Sequence, residues 1–260
     1  MAKDARLAYL QARLQARHGD RPSSDDWRVA EASTGLSHFL DAIRRTALRR
    51  WVGDINHEME PEAIERQLRI AWRDAVDQVA GWSPQEWRPA VEWLRWLPDL
   101  PAVEHLMRGA KVAPWMRADP VMRELAFDEP QRRREALAGL PLAPVHPENG
   151  QAGPAVVEAW IAEWHHRLPA EGRDPRGALT QMLETLRTHI EAMRSSDHRH
   201  GRALRQTLAA RLERHFRRGA GTATALFSHL VLDGLELERV RAGVMSRRLM
   251  PGRGEGHSWA

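Results

Sequence analysis

Wherever apolar residues form an extended pattern in this chain they recur at three- and four-residue steps, and they nowhere alternate convincingly, so each long segment reads as an amphipathic helix rather than a strand. The first helix runs from about Asp4 to His18 and stops at Gly19-Asp20-Arg21-Pro22, after which Ser23-Ser24-Asp25-Asp26 forms a cluster of helix caps. A second helix then carries Trp27, Ala30, Leu36, Phe39, Leu40, Ile43, Ala47 and Trp51 on one continuous stripe. Glu60-Pro61 opens a third, whose Ile64, Leu68, Ala71, Ala75 and Val79 share a face, with Trp72 and Val76 beside it and Gly81 at its end.

Ser83-Pro84-Gln85-Glu86 reads as the start of a fourth helix, with Ser83 as N-cap and Pro84 at the first position. Its apolar residues wrap most of the circumference. On a straight α-helix Trp87 and Trp93 lie about 240° apart and Trp93 and Trp96 about 300° apart, so the three rings spread around the axis. Either this helix is buried on all sides, or one ring faces outward as an anchor for a partner. Asp99-Leu100-Pro101 restarts the chain into a short helix ending at Gly109, and residues 114–130 read as short helices broken by turns. The stretch 139–154, with prolines 141, 144, 147 and 154, reads as a linker between two helical halves, residues 1–138 and 155–250, with 251–260 as a frayed tail. In the second half, helices are expected over Ala155–Arg167, Asp174–Ser196, Arg202–Arg218, Thr222–Leu232 and Leu235–Leu249. The fold class is therefore all-α, a multi-helix bundle.

Composition supports that class and narrows the rest. The 260 residues hold one tyrosine and four phenylalanines but 11 tryptophans, seven of them between Trp51 and Trp115, which concentrates rigid packing surface in the first half. There is no cysteine, so disulfides and thiolate metal sites are excluded. The first residues lead directly into a charged helix and the longest apolar runs fall far below the roughly 20 residues of a membrane span, so a cytoplasmic protein is expected. A net charge of +4 reflects 39 basic residues against 35 acidic ones, a balance that fits solvated helix faces better than nucleic-acid binding. Arg211, Arg214 and Arg218 share a helix face and are the candidate anion-binding set, although Glu213 dilutes them.

Chemistry is harder to find. Adjacent histidines such as His165 and His166 point about 100° apart on a helix and cannot readily share an ion; His198 and His200 read as an exposed turn. No nucleophile elbow, Walker loop or dinucleotide-binding glycine motif is present, and Gly219-Ala220-Gly221-Thr222 reads as one helix end and the next N-cap. No catalytic residue, metal ligand or cofactor is assigned.

Two stretches resemble a known family. Ala8-Tyr9-Leu10-Gln11-Ala12-Arg13-Leu14-Gln15-Ala16-Arg17 is similar to the first helix of the C/d stalk subunits of archaeal and vacuolar rotary ATPases, and Leu232-Asp233-Gly234-Leu235-Glu236-Leu237-Glu238-Arg239-Val240-Arg241 resembles that family's acidic helix leading to an arginine. Gln11 and Glu236 or Glu238 stand where the family favours asparagine. The resemblance implies a non-catalytic helical socket that couples a central stalk to a membrane ring. The functional expectation is thus a non-enzymatic interaction or assembly protein with protein partners, its contact face carried by Trp87, Trp93 and Trp96. The alternatives are a helical-bundle enzyme or small-ligand binder whose site is assembled from distant His, Glu and Arg residues, and arginine-mediated nucleic-acid binding.

Overall fold

A computed structural model describes residues 2–140, 152–169, 177–195 and 201–250, and among them regular structure is exclusively helical. Most of the expected linker, residues 141–151, together with the tail 251–260 and with His198 and His200, lies outside the described residues. The chain divides into two compact units, one formed by residues 1–85 and 170–260 and the other by 86–169. The division therefore falls after residue 85 and again after 169, not across 139–154. The cause is tertiary: the chain leaves the first unit and later returns to it, and local composition carries no mark of such a return.

Unit 1 begins with α1 (Ala2–Gly19), α2 (Ser24–Glu31), α3 (Leu36–Arg44), α4 (Arg49–Val52) and α5 (Pro61–Trp82). The cap cluster performs as its residue types demand: Ser23 accepts from the Asp26 N–H while the Asp26 carboxylate accepts from the Ser23 N–H, a full capping box. The single helix expected from Trp27 to Trp51 is instead three. It breaks at Ser33-Thr34-Gly35, where Gly35 is extended, and at Thr46, whose hydroxyl donates to the Ile43 carbonyl at 2.8 Å and accepts from the Leu48 N–H at 3.2 Å. Such side-chain bonds offer the backbone an alternative to the helical ladder, and the apolar stripe survives because each short helix is set down separately on the core.

Unit 2 comprises α6 (Arg88–Glu92), a 3₁₀ segment Trp93–Asp99, α7 (Leu100–Met107), α8 (Pro114–Ala118), a 3₁₀ turn Met122–Glu124, α9 (Pro130–Ala138) and α10 (Ala152–Arg167). Ser83 does not start the fourth helix; its hydroxyl donates back to the Val79 carbonyl at 2.8 Å and closes α5. Pro98, which lacks an N–H and crowds the carbonyl four residues back, accompanies a switch from α to 3₁₀ geometry at Trp93. With three residues per turn, Trp93 and Trp96 fall on the same side, ring centroids 6.3 Å apart, instead of spreading around an axis. Trp93 donates its indole N–H to the Trp160 carbonyl of α10 at 3.0 Å, and the Arg167 guanidinium covers its ring at 4.5 Å.

The chain re-enters unit 1 as α11 (Ala178–Ser195), α12 (Gly201–Arg218) and α13 (Ala223–Leu249). The last two expected helices are one, 27 residues long, running straight through Gly234. Glycine in a helix interior costs about 1 kcal/mol relative to alanine, but α13 packs on α1, α3, α5, α11 and α12, and burial on so many sides outweighs that cost. This helix is the core of the unit: Leu226, Phe227, Leu230, Val240 and Val244 are all buried. A second glycine sets how closely α3 approaches. A Cβ built on Gly243 would stand 2.2 Å from Cζ of the fully buried Phe39. Gly243→Ala is accordingly expected to cost about 1–3 kcal/mol in urea unfolding, and the double variant with Phe39→Leu should lose less than the two singles together. A wild-type midpoint for Gly243→Ala would refute this contact.

Candidate ligand cavity and its buried ion network

One face of α13 carries His229, Asp233 and Glu236, at steps of four and three residues, so the three side chains line up on the inward side. Buried carboxylates need partners, and two arginines from distant segments supply them. Arg21, in the turn between α1 and α2, reaches Asp233 Oδ1 at 3.2 Å, Glu236 Oε1 at 2.7 Å and the Leu232 carbonyl at 2.9 Å. Arg50 of α4 donates from Nη2 to Asp233 Oδ1 at 2.8 Å and to Glu236 Oε2 at 2.7 Å, while its guanidinium stacks 4.4 Å above the Trp51 ring. Two cations thus offset two anions.

The charge states follow. Burial works against ionisation of Asp233, but the pull of His229, Arg50 and Arg21 prevails and holds its pKa below the ordinary carboxylate value. Glu236 moves the other way, raised by burial and by the neighbouring Asp233 charge in spite of both arginines. His229 sits 3.5 Å from Asp233 Oδ2, yet burial together with Arg21 and Arg50 outweighs that carboxylate and drives its pKa down from 6.5 to about 4. The imidazole is neutral at neutral pH. The 3.5 Å approach is not a hydrogen bond, since both ring nitrogens of His229 are buried without a hydrogen-bond partner.

Beside this network lies a cavity of about 270 Å³, lined by α1 through Arg17, by the α4 region through Arg50, Trp51, Asp54 and Ile55, by α5 through residues including Asp74, Gln78 and Trp82, and by His229 and Asp233. A second buried donor lines it without a partner: the indole N–H of Trp51, a residue only 1% exposed. Arg17 donates to Gln78 Oε1 and makes no ion pair among the described residues. Its pKa is lowered, first by burial and then by the repulsion of Arg50. The buried part of the lining therefore presents unpartnered hydrogen-bond donors beside Asp233, whose charge is answered by Arg21 and Arg50, whereas Asp54 and Asp74 lie on exposed positions at the rim. A neutral imidazole with so low a pKa is a poor proton acceptor at neutral pH, so the arrangement suits hydrogen bonding to a ligand better than general-base catalysis.

The residues singled out from the sequence are elsewhere. Trp87 and Trp93 are buried and Trp96 half-buried. Arg211, Arg214 and Arg218 are exposed on α12, and their charge is felt nearby: burial and then Arg214 and Arg218 lower the pKa of His215, and burial with Arg205 and Arg211 lowers that of His189. Among the described residues no group of acidic and histidine side chains is arranged to hold a metal, and no helix is long and apolar enough to cross a membrane. Sequence reasoning passed over His229, Arg21, Arg50, Trp51 and Arg17 as site residues. One signal was legible, the polar 229, 233 and 236 positions set at helical spacing within an otherwise apolar run; the same 232–241 stretch carried the stalk-subunit resemblance. Compared with family models, curated proteins and solved structures, the chain matches none.

Two outcomes follow. Asp233→Asn leaves two guanidiniums short of a buried counter-charge and should cost about 3–5 kcal/mol in denaturant unfolding, whereas Asp25→Asn, which breaks an exposed pair with side chains 73% and 78% accessible, should cost under about 1 kcal/mol. Equal costs would show the network to be solvated. Between pH 6.5 and about 4 the unfolded chain protonates His229 while the folded chain does not, so stability falls as pH drops through that window, by about 3 kcal/mol from this residue. Glu236, with a raised pKa, acts in the opposite sense, so the test is the difference between wild type and His229→Asn. That variant should lose less stability than wild type between pH 6.5 and 4; an identical pH dependence would contradict the assignment.

Proposed function

We propose that unit 1 is a binding module for a small polar ligand, seated in the cavity bounded by Trp51, Arg17 and His229. The observation that carries this reading is that two buried groups, the Trp51 indole N–H and the His229 imidazole, line the same cavity and find no hydrogen-bond partner among the described residues. Burying such groups unpaired costs about 1–3 kcal/mol each, and a ligand with matching polar atoms recovers that cost on binding. This reading follows the second expectation from sequence, a helical-bundle enzyme or small-ligand binder with a site assembled from distant His, Glu and Arg residues, on its ligand-binding side. The first expectation, a protein-contact face of tryptophans, has less to stand on, because Trp87 and Trp93 lie in the core and Trp93 and Trp160 spend their indole N–H groups on each other's carbonyls.

A small-molecule library screened by thermal shift tests the reading. Wild-type protein should be stabilised by at least one compound, and Ala75→Leu, which adds a side chain to the cavity wall while keeping every polar group, should fold but lose that response. A response undiminished in Ala75→Leu, or no response to any compound, would defeat the proposal.

A further inference from the structure

The chemistry of the lining narrows the ligand, on the condition that the cavity is a binding site. Trp51 Nε1 can only donate, neutral His229 offers one donor and one acceptor, and a guanidinium carries five N–H donors, of which Arg17 directs one Nη2 bond to Gln78. Arg50 adds positive charge but spends it on Asp233 and Glu236. Arg17 is therefore the cavity-lining cation with no carboxylate of its own among the described residues, half-buried where a counter-charge would be screened less than in bulk water. Acceptors are distributed the other way: Asp54 and Asp74 stand at exposed positions of the rim, and Asp233 is already ion-paired. The unpaired donors and Arg17 are left to meet a ligand, the buried lining carboxylate Asp233 is committed to Arg21 and Arg50, and the remaining carboxylates lie outside.

We infer that the ligand is a small organic oxyanion, its charged oxygens directed to Arg17, Trp51 and His229 and a hydroxyl or amino group directed to the acidic rim. A volume of about 270 Å³ is room for a small organic molecule and not only for a single ion or water. Carboxylate and phosphate oxygens share the chemistry that Arg17 recognises, and a guanidinium can meet either through two parallel N–H bonds.

Isothermal titration calorimetry on the full chain at near-neutral pH and low salt, with succinate, glycerol 3-phosphate and inorganic phosphate set against the uncharged succinamide and glycerol, tests this. At least one of the two organic anions should bind and its uncharged counterpart should not. Arg17→Gln should weaken that binding about tenfold or more, Arg17→Lys should restore part of it, and Trp51→Phe, which keeps a ring but removes the N–H, should weaken it several-fold. Thermal unfolding of each variant confirms that it is folded before its titration is read. Binding of succinamide or glycerol as tight as that of the charged partner, or an affinity untouched by Arg17→Gln, would overturn the oxyanion assignment while leaving the cavity a binding site. Inorganic phosphate binding as tightly as glycerol 3-phosphate would overturn the organic part of it. If none of these probes binds while a neutral library compound responds and Ala75→Leu abolishes that response, the oxyanion inference fails alone. If nothing binds at all, both readings fail.

Discussion

A carboxylate in a protein interior must be answered by positive charge, and unit 1 is arranged around that requirement. Asp233 and Glu236 sit on the buried face of α13, and Arg21 and Arg50 come from segments more than 180 residues earlier in the chain to meet them. The cost of leaving any of these charges alone in the core is several kcal/mol, which makes the position of the α1–α2 turn and of α4 relative to α13 a condition of folding. Removing any one member leaves a buried charge unanswered, so the network ties the positions of the three segments to one another. Its geometry agrees with that role: each guanidinium bridges both carboxylates instead of pairing with one.

The network also shapes the cavity beside it. Arg50 is held by its carboxylates and stacked on Trp51, which fixes the indole and commits the Arg50 charge, leaving Arg17 as the lining cation without an ion pair among the described residues. His229 is kept neutral by burial and by the same arginines that stabilise Asp233. A bundle that needed only stability would satisfy the Trp51 N–H and the imidazole or replace them with apolar groups. Their presence in the lining of one cavity, Trp51 from α4 and His229 from α13, gives the ligand reading its physical basis.

Unit 2 uses its aromatic residues differently. The Trp93–Trp160 exchange of indole bonds, with Arg167 laid over Trp93, turns three large side chains into a connection between the 3₁₀ segment and α10. Tryptophans can serve as partner anchors or as packing, and the two uses differ in whether the N–H is left for another molecule. Here the N–H groups of both residues are taken by backbone carbonyls of the same unit.

The residue pattern alone determined that the regular structure of the described residues is helical, where α1 and α5 begin and end within a few residues, and that Ser23 and Thr222 cap helices, because these depend on spacings of four residues or fewer. It did not determine that Trp27 to Trp51 forms three helices, that α13 continues through Gly234, or that Trp93 and Trp96 share a side, since each rests on a competition between local bonding and burial whose outcome is set by what packs against the segment. The site belongs wholly to the second kind. His229, Asp233 and Glu236 could be seen as a polar stripe in an apolar helix, but nothing in the one-dimensional order joins them to Arg17, Arg21, Arg50 and Trp51. Only the folded chain brings these groups together, because pairing buried charges across about 200 residues is a constraint on three-dimensional packing that leaves no periodic trace in the sequence.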